Sequence, residues 1–174
     1  MKRISFFLAL ALIVASFGLA GAQSISLDNT VGEWAPGQVN PGAALTFQLR
    51  YDNAFAFAIN GMTNGYRVYS ADAFGAASAT YDPAFDGFFD LVFAVNTFSV
   101  DGSGADTIGV GGSKLTGSGL PAGYNAIGVE ISTTAPTVLG SQICIDSSFY
   151  PPTGSWLWAA GANGNHNPAW DGPH

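Results

Sequence analysis

Ala44-Leu45-Thr46-Phe47-Gln48-Leu49-Arg50-Tyr51 is the stretch on which the fold turns. Leu45, Phe47, Leu49 and Tyr51 occupy every second position, with Ala44, Thr46, Gln48 and Arg50 between them. Successive strand side chains point to opposite faces, so this segment has one apolar face and one wetter face. The next apolar run, Phe55, Phe57 and Ile59, keeps the same odd parity. A two-residue turn at Asp52-Asn53 would set Phe55 and Phe57 on the wrong face. A three-residue turn over Asp52 to Ala54 pairs Tyr51 with Phe55 and Leu49 with Phe57, so a hairpin is expected here; one long bent strand also preserves the parity.

The same period recurs outward from this point. Ile25 and Leu27 open one strand, and Tyr66 to Ser70 follows the turn-like pairs Asn60-Gly61 and Asn64-Gly65. Phe74 to Tyr81 is a weaker candidate. Phe89, Leu91, Phe93 and Val95 alternate in the longest apolar strand. Ile108 with Val110, then Ile127, Val129 and Ile131, then Leu139 to Ile145, and Trp156 to Ala159 complete the set. About nine short strands with Gly- and Pro-rich turns, and no long amphipathic helix, predict an all-β antiparallel sandwich of Ig-like or jelly-roll type, with a closed barrel as the alternative. Asp101 to Gly119, with seven glycines, reads as a loop, and the Asn-, Gly- and Pro-rich stretch 161–174 as an extended tail unless Trp170 docks.

The N-terminus sets the expected location. Lys2 and Arg3 precede an apolar run from Ile4 to Leu19, and Ala20-Gly21-Ala22 supplies small residues before Gln23. That order is the signature of a signal peptide over 1–22, followed by a sandwich domain over 23–160 and the tail. The run is short for a membrane span and no second one follows, so a secreted or cell-surface protein is expected, not a membrane-spanning one. Without the leader, three basic residues (Arg50, Arg67, Lys114) face twelve acidic ones, a formal charge of −9. Such a surface repels phosphates, which argues against nucleic acid as a partner.

Cys144 is the only cysteine. In the apolar run Ile143-Cys144-Ile145 it reads either as a buried inert thiol or as half of a disulfide whose partner lies outside this chain.

Gly42 to Asp52, the strand around Phe88 to Val100, and Tyr124 to Ile131 leading to Ser141 to Asp146 resemble the strand order of cohesin-like sandwich modules. The resemblance implies an exported bacterial β-sandwich that mediates protein–protein or surface assembly, and it supplies no catalytic residues. The stretch Ile143 to Pro152 with Trp170-Asp171-Gly172-Pro173 also resembles a recurring ending of exported bacterial proteins, in which a Cys-Phe strand follows. That resemblance implies a closing strand beyond His174, carrying the partner of Cys144.

No enzyme is expected. The two histidines, His166 and His174, both fall in the tail, without a nucleophile elbow or metal-ligand spacing. Glu33 and Glu130 are the only glutamates, and strand alternation explains Glu130 and Asp90 as solvent-facing groups. No cofactor is expected beyond a structural calcium. Asp82, Asp86 and Asp90, with Asp101 and Asp106, gather carboxylates in Gly-containing loops, which suits a hard cation and equally suits ordinary turn chemistry. Trp156 and Trp158, two apart on a strand, share a side: facing water they would stack on sugar rings, facing inward they would fill a core. The expected function is a non-catalytic extracellular binding or assembly module. The alternatives are a carbohydrate-binding module on Trp156 and Trp158, or a filament or matrix subunit that accepts a strand from its neighbour.

Overall fold

A computed structural model describes residues 23–97, 104–148 and 156–174. The leader expected over 1–22 and the carboxylate of Asp101 lie outside the described residues. In chain order the elements are β1 (Ser24–Val31), β2 (Glu33–Ala35), β3 (Gln38–Val39), β4 (Ala44–Asp52), β5 (Gly61–Ser70), β6 (Ser78–Tyr81), α1 (Pro83–Asp86), β7 (Leu91–Thr97), β8 (Gly104–Ser113), β9 (Asn125–Thr134), β10 (Ile143–Ser147), β11 (Leu157–Ala159), a 3-10 turn at Gly161–Asn163, β12 (Asn165–His166) and β13 (Ala169–Trp170). One sheet runs β13-β1-β4-β9-β6. The other runs β12-β11-β5-β8-β7, with β10 pairing the same edge of β5 as β11. All pairings are antiparallel except β1 with β13. The sandwich is therefore as expected, and β2 and β3 form a small separate hairpin.

The alternation in β4 does what its period requires. Leu45, Phe47, Leu49 and Tyr51 are all buried, and across the core they meet Tyr66 and Val68 of β5, Ile108 and Val110 of β8, and Ile145 of β10. The Tyr51 and Tyr66 hydroxyls, both buried, hydrogen-bond each other at 2.8 Å and tie the two layers together. Burial raises the pKa of each phenol, so the pair stays neutral.

Four local expectations are corrected. The hairpin from Tyr51 into Phe55 does not form, because both edges of β4 are already taken by β1 and β9. Phe55 and Phe57 instead stack on each other and on His166, in an irregular segment held by Asn53, whose Nδ2 donates to the carbonyls of Phe57 and Pro121. Asn64-Gly65 is no turn but the middle of β5. Residues 104–113 of the glycine-rich stretch form β8, since aromatic rings occupy the space that side chains would need: a Cβ on Gly111 would lie 2.2 Å from the Phe93 ring, and one on Gly112 2.7 Å from Phe89. The segment 161–174 is no separate tail. His166 pairs with Trp158, Ala169–Trp170 adds to β1, and Trp170 packs edge-on against Tyr66 and Trp156.

Candidate functional site

The outward face of the β11-β5-β8-β7 sheet carries a row of exposed apolar side chains. Antiparallel partners share a face, so the registers place Leu91, Phe93 and Val95 of β7 on the outside, opposite Ser113, Gly111 and Gly109. Across β8 and β5 the outward row continues through Thr63 to Leu157 and Ala159 of β11. The Phe93 ring lies over Gly111, and the small residues Gly61, Thr63 and Ser113 floor the face beside it. The result is a shallow trough of about 340 Å³, walled by Leu91 and Phe93 on one side and Leu157 on the other.

The walls are held from behind. The Tyr81 hydroxyl reaches across from the other sheet, donating to the carbonyls of Phe93 and, at 2.9 Å, Gly111, and accepting the Gly111 N–H at 2.8 Å. At the start of β7, Asp90 accepts from Lys114 Nζ at 2.7 Å and from the Leu115 N–H at 2.9 Å. The Lys114 ammonium holds the Asp90 carboxyl below the usual range. Leu91 nevertheless remains 58% exposed, and Val95 and Phe93 over a third. β7 is an edge strand, apolar on both faces, and such an edge left in water is a template for another molecule.

At the other end, the same outward face is polar. Arg67 pairs with Asp146 at 2.8 Å and lies over the Tyr69 ring at 4.9 Å, with Cys144 opposite Tyr69 in register. Partial burial works against the ionised Asp146, but hydrogen bonds from Arg67, the Ser147 N–H and Trp170 outweigh it and hold the pKa low. All three basic side chains of 23–174 are committed to aspartates: Arg50 to Asp28, Arg67 to Asp146 and Lys114 to Asp90.

The residues singled out in the sequence are placed elsewhere. Trp158 is fully buried and stacks on Tyr51 at 6.0 Å, with its Nε1 donating to Asn64. Trp156 is half-buried and donates to the Gly65 carbonyl at 2.7 Å. The pair therefore fills the core and its edge, and offers no exposed two-ring platform to a sugar. The aspartates are dispersed. Asp82 caps α1 by accepting the Ala84 N–H, Asp86 lies in that turn, Asp90 holds Lys114, and Asp106 is buried beneath β6. Among the described residues no three His, Cys, Asp or Glu side chains are grouped to hold a metal. Asp106 Oδ2 accepts from the Ala77 N–H at 2.7 Å and from Asn96, its Oδ1 has no partner, and burial raises its pKa. His166 meets the Asn163 carbonyl and two phenylalanine rings, and His174 meets Asp171; among the described residues neither is bonded to a hydroxyl nucleophile.

Nothing in the local sequence marks the trough. Leu91-Val92-Phe93-Ala94-Val95, apolar at every position, has the pattern of a strand covered on both faces, and only the topology shows that it is an edge.

No family model matches the chain, and no curated protein matches it in sequence. In structure it is similar to the sixth cohesin of scaffoldin B from Acetivibrio cellulolyticus, solved in complex with a Cel5 dockerin. The TM-score is 0.55 at 11% identity, over 86% of this chain and 94% of that one. It is similar also to the seventh ScaB type I cohesin of Pseudobacteroides cellulosolvens, with a TM-score of 0.53 at 10% identity, over 86% and 87% of the two chains. The fold is cohesin-like.

Proposed function

We propose that this cohesin-like sandwich is an exported, non-catalytic protein-binding module that assembles with a partner protein through the outward trough of β7, β8 and β5. The observation that carries the reading is the exposed row Leu91, Phe93 and Val95 beside a shallow floor of small residues, Gly61, Thr63 and Ser113. A floor of small residues leaves room for a partner's apolar side chain, and the Phe93 ring gives it a rigid wall. A protein partner fits better than a sugar, because the trough offers few polar groups to read hydroxyls and Trp156 and Trp158 are turned inward. One of the similar cohesins was solved bound to a protein, a dockerin. Export rests on the basic start, apolar run and small-residue site of 1–22. With a formal charge of −9 after the leader, the favoured partner carries a basic rim around its apolar anchor.

The test captures partners from the source's own culture medium on the immobilised protein, identifies them, and titrates each purified partner against the wild type and Phe93→Asp. Both proteins are first melted to show that they are folded. A loss of about tenfold or more in affinity for a purified protein places the site in the trough. A protein partner that binds Phe93→Asp as tightly as wild type refutes the site, and pelleting with insoluble polysaccharide in place of any protein refutes the function.

A further inference from the structure

β7, the wall of the trough, is held on one side only. Its backbone pairs with β8 and with no other strand among the described residues, and Leu91 to Asn96 are exposed whichever face they turn to. Two side-chain clamps supplement that ladder on the face turned toward the other sheet. One is the Tyr81 hydroxyl, on Phe93 and Gly111. The other is Asn96, whose Nδ2 donates to the Ala77 carbonyl and, at 3.1 Å, to Asp106 Oδ2.

Asp106 is the anomaly in the second clamp. β8 turns Asp106, Ile108 and Val110 to the core, so a fully buried carboxyl ends an otherwise apolar row. Its Oδ2 takes the Ala77 N–H at 2.7 Å as well as Asn96, while its Oδ1 has no partner among the described residues. The groups that face it are uncharged. Opposite it on β5 stands Val68, with Arg67 and Tyr69 turned to the outer face; β7 contributes Asn96, and the segment before β6 contributes Ala77. No charged side chain acts on this carboxyl, and burial outweighs its two hydrogen bonds, which sets its pKa above the ordinary value. Burial also raises the pKa of Tyr81, so the phenol of the other clamp stays neutral.

We propose that Asp106 is a proton-controlled latch on the wall of the trough: with the carboxyl protonated β7 stays closed on β8, and with it ionised the Asn96 end of β7 opens to bring water to the bare oxygen. A buried carboxylate oxygen without a donor costs free energy once charged, and water relieves that cost. Asn96 is itself exposed and lies on an edge strand, so lifting that end of β7 wets Asp106 without disturbing the rest of the core. The controlling ligand is a proton and not a metal ion, because Asp106 belongs to no group of three metal-ligating side chains among the described residues. The sign follows from linkage. In the open state the carboxyl has the ordinary value of about 3.9, and in the closed state a higher one. Opening therefore grows as pH rises from the first value to the second, and is level above it. As control of partner binding this rests on the trough being the binding site; the latch itself does not.

Hydrogen exchange of the β7 amides that pair with β8, corrected for the intrinsic effect of pH on exchange, reads the latch with no partner present. Between about pH 4 and about pH 8 their opening in the wild type is expected to rise about threefold or more. Asp106→Asn keeps the shape of the side chain and cannot ionise, so it abolishes the rise. Asn96→Ala removes the link to Ala77 and Asp106, and leaves β7 as open at the acid end as the wild type is at the alkaline end. Both variants are first melted to show that they are folded, and should Asp106→Asn not fold, Asn96→Ala decides. A level or falling profile in the wild type overturns the proposal. So does a rise that survives Asp106→Asn, or an Asn96→Ala protein as closed at the acid end as the wild type. Partner affinity is measured apart from this: a trough that binds no protein, in a chain whose β7 opens as stated, refutes the function and leaves the latch standing.

Discussion

Trp158 shows how much one side chain carries in a sandwich of this size. Its indole is fully buried, stacks on Tyr51 and stands between the β5 register and the segment that follows β11. Trp158→Ala is expected to cost about 3–5 kcal/mol, measured by urea unfolding. A loss of ligand binding in that variant would then report unfolding and not a sugar site. Asp106 makes the opposite kind of contribution. Burial raises its pKa in the folded protein, so folding takes up a proton there. Its contribution is fully present below the unfolded value of about 3.9 and is lost as pH rises through the raised folded value. Asp146, with its pKa held low, contributes in the other direction, losing its share as pH falls through the folded value. Melting temperature followed upward from pH 4 should therefore fall less in Asp106→Asn than in wild type. A parallel decline in both proteins would remove Asp106 as the cause.

At the level of the element, β8 and β7 are made for each other by size. Gly111 faces outward under Phe93, and Gly112 faces inward under Phe89. Gly112→Ala pushes a methyl group into a buried ring and is expected to cost about 1–3 kcal/mol by chemical denaturation. Gly111→Ala instead displaces Phe93, which has water beside it, so stability should change less while partner affinity at the trough falls. If Gly111→Ala proves the more destabilising of the two, Phe93 is packed more tightly than its exposure indicates. The glycine content of 101–119 suggested a loop because glycine is costly inside a strand. Here that cost is offset by the ring packing, a contact between residues some twenty apart that no local reading contains. The hairpin expected at Asp52 to Ala54 failed for a related reason: parity allowed it, but β9, far along the chain, occupies the edge it needed.

For the whole molecule, closure of one side depends on Ala169–Trp170 and His174. The pairing of Ala169–Trp170 with β1 and of His174 with Ile145 joins the two sheets along one side. Trp170 packs edge-on against Tyr66 and Trp156 and donates to Asp146 at 3.1 Å. Trp170→Ala is expected to destabilise the fold by about 3 kcal/mol and to speed amide exchange in β1 and β10 before the rest of the sandwich. Uniform exchange across all strands would mean that this side opens only with global unfolding.

The period of two in Leu45, Phe47, Leu49 and Tyr51 was enough to give an all-β chain and the inward face of β4, because an apolar row of that period has one solution once a core must be buried; in β9 a bulge pairs Ile127 with the outward Arg50, so alternation alone misplaces it. The sequence by itself also determined the acidic surface and pointed to export. The tertiary arrangement is what puts Leu91, Phe93 and Val95 at an edge, turns Trp156 and Trp158 to the core, and separates the described aspartates. These depend on which strand sits beside which, and strand order is set by contacts between segments distant in sequence, where local periodicity carries no information.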